Sequence, residues 1–236
     1  MQALKFGFGQ AVLRKEDDPL LRGGGRYVGD VAPRETLHAV VLRSPHAHAR
    51  FHLDAAKARA MPGVRLVLTG VETDDLGPLP CAVELPNIVL DVPPYAILAR
   101  NEARHIGDAT AFVVADTLEW AKDAAEAISV TWEELPHVIH ATEAIQPNAP
   151  LVWPEHRDNV VFDLTLGNKA ATDRAFAEAA KIVSLTLVNQ RVVANYLDTR
   201  GVVADYNTAH NCLTLTLSSQ GPHYRGVTAK REARWA

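Results

Sequence analysis

The spacing of apolar and polar positions changes several times along the chain, and each change marks an element. Residues 36–43 (TLHAVVLR) form the short β-branched apolar run of a strand, and 50–53 a second, shorter one. Asp54 is placed to cap a short helix through Ala60, which Pro62-Gly63 ends. Residues 64–69 (VRLVLT) return to the strand pattern. Residues 111–115 (AFVVA) read as a buried strand, and Leu118, Ala121, Ala125 and Ile128 then recur at helical spacing. Asp116 and Glu119 have the spacing of a capping box with an acidic cap. Residues 128–133 (ISVTWE) alternate as a strand. The three pieces predict a β-α-β unit, most simply a right-handed crossover.

Proline and glycine punctuate the rest. The first 34 residues are rich in glycine and charge and read as an extended arm with turns rather than a helix. Residues 77–94 hold Pro78, Pro80, Pro86, Pro93 and Pro94. Proline donates no ladder hydrogen bond, so this stretch is a long loop or an edge excursion. Pro147, Pro150 and Pro154 punctuate 144–159, where the pattern places a domain boundary and divides the chain into 1–145 and 146–236. Beyond it, 170–180 reads as an Ala-rich helix, and 182–190, 201–206 and 212–219 as strands. The last alternates cleanly (CLTLTLSS), which predicts one buried face. Residues 207–211 read as a turn, and the tail from Lys230 is basic, with Trp235 its one large apolar residue.

Composition narrows the class. The 236 residues allow one large domain or two small ones. Apolar residues at 47% and charged residues at 22% are those of a globular chain rather than a disordered one. A net charge of -4 argues against a polyanion binder, so no nucleic acid is expected. No apolar run approaches the ~18 residues of a membrane span, and the first ten residues do not read as a secretory signal, so a cytoplasmic address is expected. Cys81 and Cys212 are the chain's two cysteines, which excludes a disulfide framework and any iron–sulfur cluster held by this chain alone.

Most candidate chemistry dissolves on inspection. Gly7, Gly9 and Gly23-Gly24-Gly25 lack the following positions of a dinucleotide or phosphate loop and read as turns. His46, His48 and His52 cluster in SPHAHARFH, but Pro45 points to a turn and no nearby Cys or acid completes a metal site. A packed or hydrogen-bonded role is preferred for them. Ser44 lacks a nucleophile elbow, and Cys81 has no cationic neighbour in sequence. Glu133 and Glu134 point to opposite faces of their strand and read as solvated charge. Gln220 stands apart. It follows a half-buried strand and precedes Gly221-Pro222-His223, a common way to present an amide into a cleft.

Several segments, in order, resemble the N-terminal part of the large, molybdopterin-binding subunit of the xanthine dehydrogenase, aldehyde oxidase and carbon monoxide dehydrogenase family. They are GQAVLRKED at 9–17, LLRGGGRYVGD at 20–30, RSPHAHAR at 43–50 and MPGVRLVLTG at 61–70. ARHIGDATAFVVADTLEWAKDAAEAISVTWEELP at 103–136, VNQRVVANYLDTRGVVADY at 188–206 and LSSQGPH at 217–223 complete the set. The resemblance implies an α+β fold: an α/β hammerhead-like domain followed by part of an α/β molybdopterin-binding domain. It implies a molybdenum–molybdopterin cofactor. The chemistry is hydroxylation of an aldehyde or a purine-like heterocycle, or oxidation of carbon monoxide, with oxygen from water. Electrons leave through iron–sulfur clusters and FAD on partner chains, and a glutamate is the base.

Carried residue by residue, Gln220 matches the family's glutamine beside a molybdenum oxo ligand, with Gly221 next to it. Arg200-Gly201 match an Arg-Gly pair that usually follows Glu-Pro. Here Asp198-Thr199 precede it, and GDATAF at 107–112 departs from the usual Gly-Glu-Pro-Val-Ala-Val. The family's later glycine-rich cofactor segments and its glutamate base do not occur in these residues. The expectation is a chain that stops after the first strands of the cofactor domain and is inactive alone. Hydroxylation needs a positioned base and a closed site, and Gln220 supplies neither. The competing expectation is a non-catalytic scaffold or assembly module of the same lineage, metal-free and often oligomeric. The remaining part of the large subunit and iron–sulfur and FAD subunits are the partners expected under the first reading.

Overall fold

The computed structural model describes residues 13–81, 83, 85, 88–190, 193, 195 and 200–218. Gly7, Gly9, Asp198, Thr199, Gln220, Gly221 and the basic tail lie outside them. The chain divides into two compact units, one built from 1–35 with 188–222 and the other from 36–187 with the residues after 222.

The first unit opens with a short helix, α1 (Asp17–Leu21), and a 3₁₀ turn (Val28–Val31). The arm is therefore not wholly extended. Asp17 and Asp18 sit in the first turn of α1, where they complement the helix dipole. Arg14 and Arg22 pair with them from either side.

The second unit carries two three-stranded antiparallel sheets. Its strands are β1 (His38–Arg43), β2 (Ala49–Asp54), β3 (Val64–Thr69), β4 (Glu102–Ala103), β5 (Ala109–Ala115) and β6 (Ser129–Glu134). One sheet has the order β1-β5-β3 and the other β4-β2-β6. α2 (Ala56–Arg59) bridges β2 and β3; its N-cap is Ala55, which makes no side-chain cap bond, and Asp54, expected as the cap, sits one position earlier and accepts from the Ala56 N–H at 2.9 Å. Gly63 follows it at φ +78°, where a Cβ would meet the Trp120 ring at 1.9 Å, so both backbone and space demand glycine.

α3 (Leu118–Ala127) joins β5 to β6, but not as a parallel crossover. β5 is flanked on both sides by β1 and β3, so β6 has no free edge there and pairs with β2 in the other sheet, Phe51 opposite Trp132. The alternating sequence of β6 is the mark of a strand buried on one face, as antiparallel strands are. The cap also differs from expectation. The Thr117 hydroxyl accepts from the Trp120 N–H at 3.2 Å, while Asp116 holds Arg65 through two bonds at 2.6 and 2.9 Å. Leu118 is exposed, and Ala124 takes its place in the buried stripe with Ala121, Ala125 and Ile128. These alanines let the helix lie close on Val113, Ala111 and Val67 to form the main core.

Beyond β6 come the single-turn helix α4 (Ala141–Ala144) and the exposed helix α5 (Lys169–Glu178). Asn168 caps α5 by accepting from Ala171 N–H at 3.0 Å. Residues 182–190 are not a strand, although their alternation resembles one. An extended segment becomes a strand only against a partner, and none of the described strands pairs with it. In the first unit, β7 (Val202–Asn207) and β8 (Cys212–Leu217) form a hairpin around Asn211 at φ 49°. The expected buried face of β8 is not buried. Leu213 and Leu217 are half-covered and Leu215 is 41% exposed, because a two-stranded ribbon cannot cover its own faces. No helix among the described residues is long and apolar enough to cross a membrane.

Candidate functional site

The hairpin places one predicted site residue. Val202 pairs with Leu217, so the antiparallel register brings the entry to β7 and the exit from β8 to the same end. Arg200 occupies an exposed bend at that end, followed by Gly201, and Ser218 leaves from the opposite strand. Gln220 and Gly221 follow two and three residues after Ser218 in the sequence and lie outside the described residues. The residues that the resemblance assigns to the cofactor are the Arg200 guanidinium, the Gly221 backbone and the Gln220 amide, of which the structure describes Arg200 alone. That set is suited to an anionic group bearing oxo oxygens.

The histidines do not form a metal site together. His46, His48 and Pro45 lie in a bend, as the sequence predicts. His48 is buried, with Nδ1 3.0 Å from the Pro136 carbonyl and Nε2 3.0 Å from Glu102 Oε1. His46 turns to Glu134 at 3.1 Å and packs on Trp132 at 5.1 Å. His52 is exposed on β2. Among the described residues no three His, Cys, Asp or Glu side chains converge as metal ligands. The Ser44 hydroxyl is spent locally, donating to the His46 carbonyl at 3.1 Å and accepting its N–H at 3.0 Å. Cys81 and Cys212 are exposed thiols.

The densest polar chemistry lies where sequence reasoning named nothing. A cavity of about 110 Å³ is lined in part by Tyr95, Asn101, Glu102, Arg104, Asp108 and Trp153. Buried Asp108 accepts from the Tyr95 hydroxyl at 3.0 Å and from the Arg104 N–H at 2.9 Å. The His105 imidazole contacts the same hydroxyl. Burial, reinforced by the negative charge of Asp108, raises the Tyr95 pKa, so the phenol stays a neutral donor. The cavity has room for only a few water molecules. Tyr95, Glu102, Arg104 and Asp108 are already paired, so it reads as structural wiring rather than a substrate chamber. Its members are scattered from 95 to 153, and no local motif announces them.

Comparison with known proteins matches this architecture. The family model of the a/b hammerhead domain of aldehyde oxidase and xanthine dehydrogenase matches residues 22–136. That of the molybdopterin cofactor-binding domain matches residues 152–230. The chain is 37% identical over 224 residues to the carbon monoxide dehydrogenase large chain of Hydrogenophaga pseudoflava, covering 89% of this chain and 27% of that protein. It is 34% identical over 222 residues to the nicotine 6-hydroxylase large subunit of Paenarthrobacter nicotinovorans, covering 92% and 26%. The crystal structure of quinoline 2-oxidoreductase from Pseudomonas putida 86 aligns with a TM-score of 0.78 at 34% identity, over 95% of this chain and 28% of that one. That of a Cu,Mo-containing CO dehydrogenase aligns with 0.79 at 30%, over 95% and 29%. The chain spans about a quarter of the length of these curated relatives.

Proposed function

Because this chain belongs to the aldehyde oxidase, xanthine dehydrogenase and carbon monoxide dehydrogenase family of molybdopterin-binding large subunits, we propose that it forms part of a molybdenum hydroxylase. In this reading residues 1–145 contribute the hammerhead domain and 146–236 the first strands of the cofactor-binding region. The observation that carries it is the order of the two family matches along one chain, with a hairpin in the second match presenting Arg200-Gly201 at one end.

The cofactor, when bound, supplies the metal centre and the oxidising power for hydroxylation with water-derived oxygen. This chain's contribution is to hold and orient it. Gln220 would donate from its amide to an oxygen of that group without competing as a metal ligand. Gly221 would let the backbone approach closely, and Arg200 would contribute positive charge. The general base and the walls of the substrate site belong to the rest of such a subunit. FAD and iron–sulfur clusters belong to partner chains. The substrate class is an aldehyde, an activated heterocycle or carbon monoxide. These 236 residues alone carry out no oxidation.

The test is co-expression with a polypeptide supplying the remaining length of a relative's large subunit, followed by elemental analysis. The purified complex is expected to hold molybdenum, and Gln220→Ala to hold several-fold less. A complex that assembles but contains no molybdenum would overturn the reading in favour of a scaffold.

A further inference from the structure

Residues 137–151 join the two matched regions, and the sequence pattern alone makes them a plain connection. In the structure both ends of that segment are fastened to one carboxylate. At its start, His48 Nδ1 donates to the Pro136 carbonyl at 3.0 Å, and the Leu135 N–H donates to the His48 carbonyl at 2.9 Å. At its end, Arg104 Nε donates to the Val152 carbonyl at 3.2 Å, and the same guanidinium lies 4.9 Å from the centre of the Trp153 ring. His48 Nε2 and Arg104 Nη2 then converge on Glu102 Oε1 at 3.0 and 3.2 Å. The Glu102 side chain is only 17% exposed, and it lies on β4, paired with Arg50 of β2.

The chemistry of the arrangement is asymmetric. Both ring nitrogens of His48 face oxygens, Nδ1 the Pro136 carbonyl and Nε2 the Glu102 carboxylate. Arg104 has its own fork divided between Glu102 and the Val152 carbonyl. Removing the carboxylate would leave the Arg104 guanidinium and the His48 Nε2 without the acceptor they share. Just beyond the segment, Asn159 acts as a staple. Its Nδ2 donates to the carbonyls of Ala144 and Pro150, and its Oδ1 accepts from the Val152 N–H, each at 3.0 Å. Asn159 therefore holds the segment's shape, while Glu102 links the groups that hold its two ends.

We propose that Glu102 is a positioning residue: through His48 and Arg104 it clasps both ends of the 137–151 segment onto the hammerhead, fixing where the polypeptide departs toward the molybdopterin-binding match. The functional half of this inference rests on the reading above. The clasp itself does not.

Two measurements test it. Amide hydrogen exchange on the full chain follows Leu135, Ala144 and Val152 against Val113 and Ala115 at the centre of the sheet. Glu102→Gln is expected to speed exchange at least tenfold at the first three and leave the last two unchanged. Trp153→Ala removes no charge and is expected to speed Val152 while sparing Leu135. Should Glu102→Gln lose protection at Val113 too, Trp153→Ala decides alone. Unchanged exchange at Val152 in that variant overturns the clasp. Molybdenum content of the co-expressed complex is the second readout. A several-fold drop in Glu102→Gln, restored in part by Glu102→Asp, supports the positioning role, and equal loading in both overturns it. A wild-type complex without molybdenum would sink the proposed function and leave the exchange result standing.

Discussion

Glu72 illustrates what a single residue does in this fold. Its carboxylate accepts from the Thr69 N–H at 2.8 Å and from the Thr69 hydroxyl, and it pairs with Arg59. The Thr69 hydroxyl bond is the main cause that holds its pKa below the ordinary 4.5, with Arg59 adding a smaller pull. A carboxylate whose folded pKa is depressed stabilises the fold above its unfolded pKa. That stability disappears as pH falls through the folded value. Glu72→Gln is therefore expected to cost less than about 1 kcal/mol at neutral pH, given the exposure of the pair. The difference from wild type should stay constant down to about pH 4.5 and shrink below it. Urea denaturation at a series of pH values reads this directly, and a gap that widens in acid would contradict it. The Glu72–Thr69 and Asp54–Ala56 bonds span three and two positions, a distance over which sequence spacing can speak. Glu102 leaves no such trace, because His48 stands 54 residues away and the pairing exists only once β2 and β4 are side by side.

Elements were legible where their own period sufficed and illegible where a neighbour decided. The strands β1, β2, β3 and β5 and the helix α3 follow from local pattern. The partner of β6 does not, since an alternating run says which face is buried but not against which sheet. The strand expected over 182–190 fails for the same reason: periodicity without a partner is not a strand. The cap of α3 is a closer contest. Asp116 and Thr117 are both good N-cap residues, and the outcome turns on Arg65, which draws Asp116 across to β3 and leaves Thr117 as the cap. Thr117→Ala should cost about 1 kcal/mol. Asp116→Ala loses an exposed ion pair, for which the expectation is less than about 1 kcal/mol. Chemical denaturation of the two variants separates the assignments, and the reverse ranking would restore Asp116 as the cap.

At the scale of the molecule, the distribution of apolar surface is the feature that local reasoning reads least well. The second unit has a small core rich in alanine, yet it leaves Leu166, Val183, Leu185 and Leu187 between 78% and 83% exposed. Large aliphatic side chains exposed together, as Val183, Leu185 and Leu187 are within five residues, favour association. At ~25 cal/mol per Å² of apolar surface removed from water, covering even part of this run contributes a few kcal/mol toward association. Alternation alone predicts a strand over 182–190, in which Val183, Leu185 and Leu187 share one face and would be covered together. The structure leaves them bare. The 236-residue chain purified alone is therefore expected to self-associate as its concentration rises, seen as an increasing weight-average mass in sedimentation equilibrium. Replacing Val183, Leu185 and Leu187 with Ser should return it to a monomer without changing the far-ultraviolet circular dichroism, because none of the three contributes to the buried core. A wild-type chain that stays monomeric throughout, or a triple variant that associates equally, would mean that these side chains do not drive association.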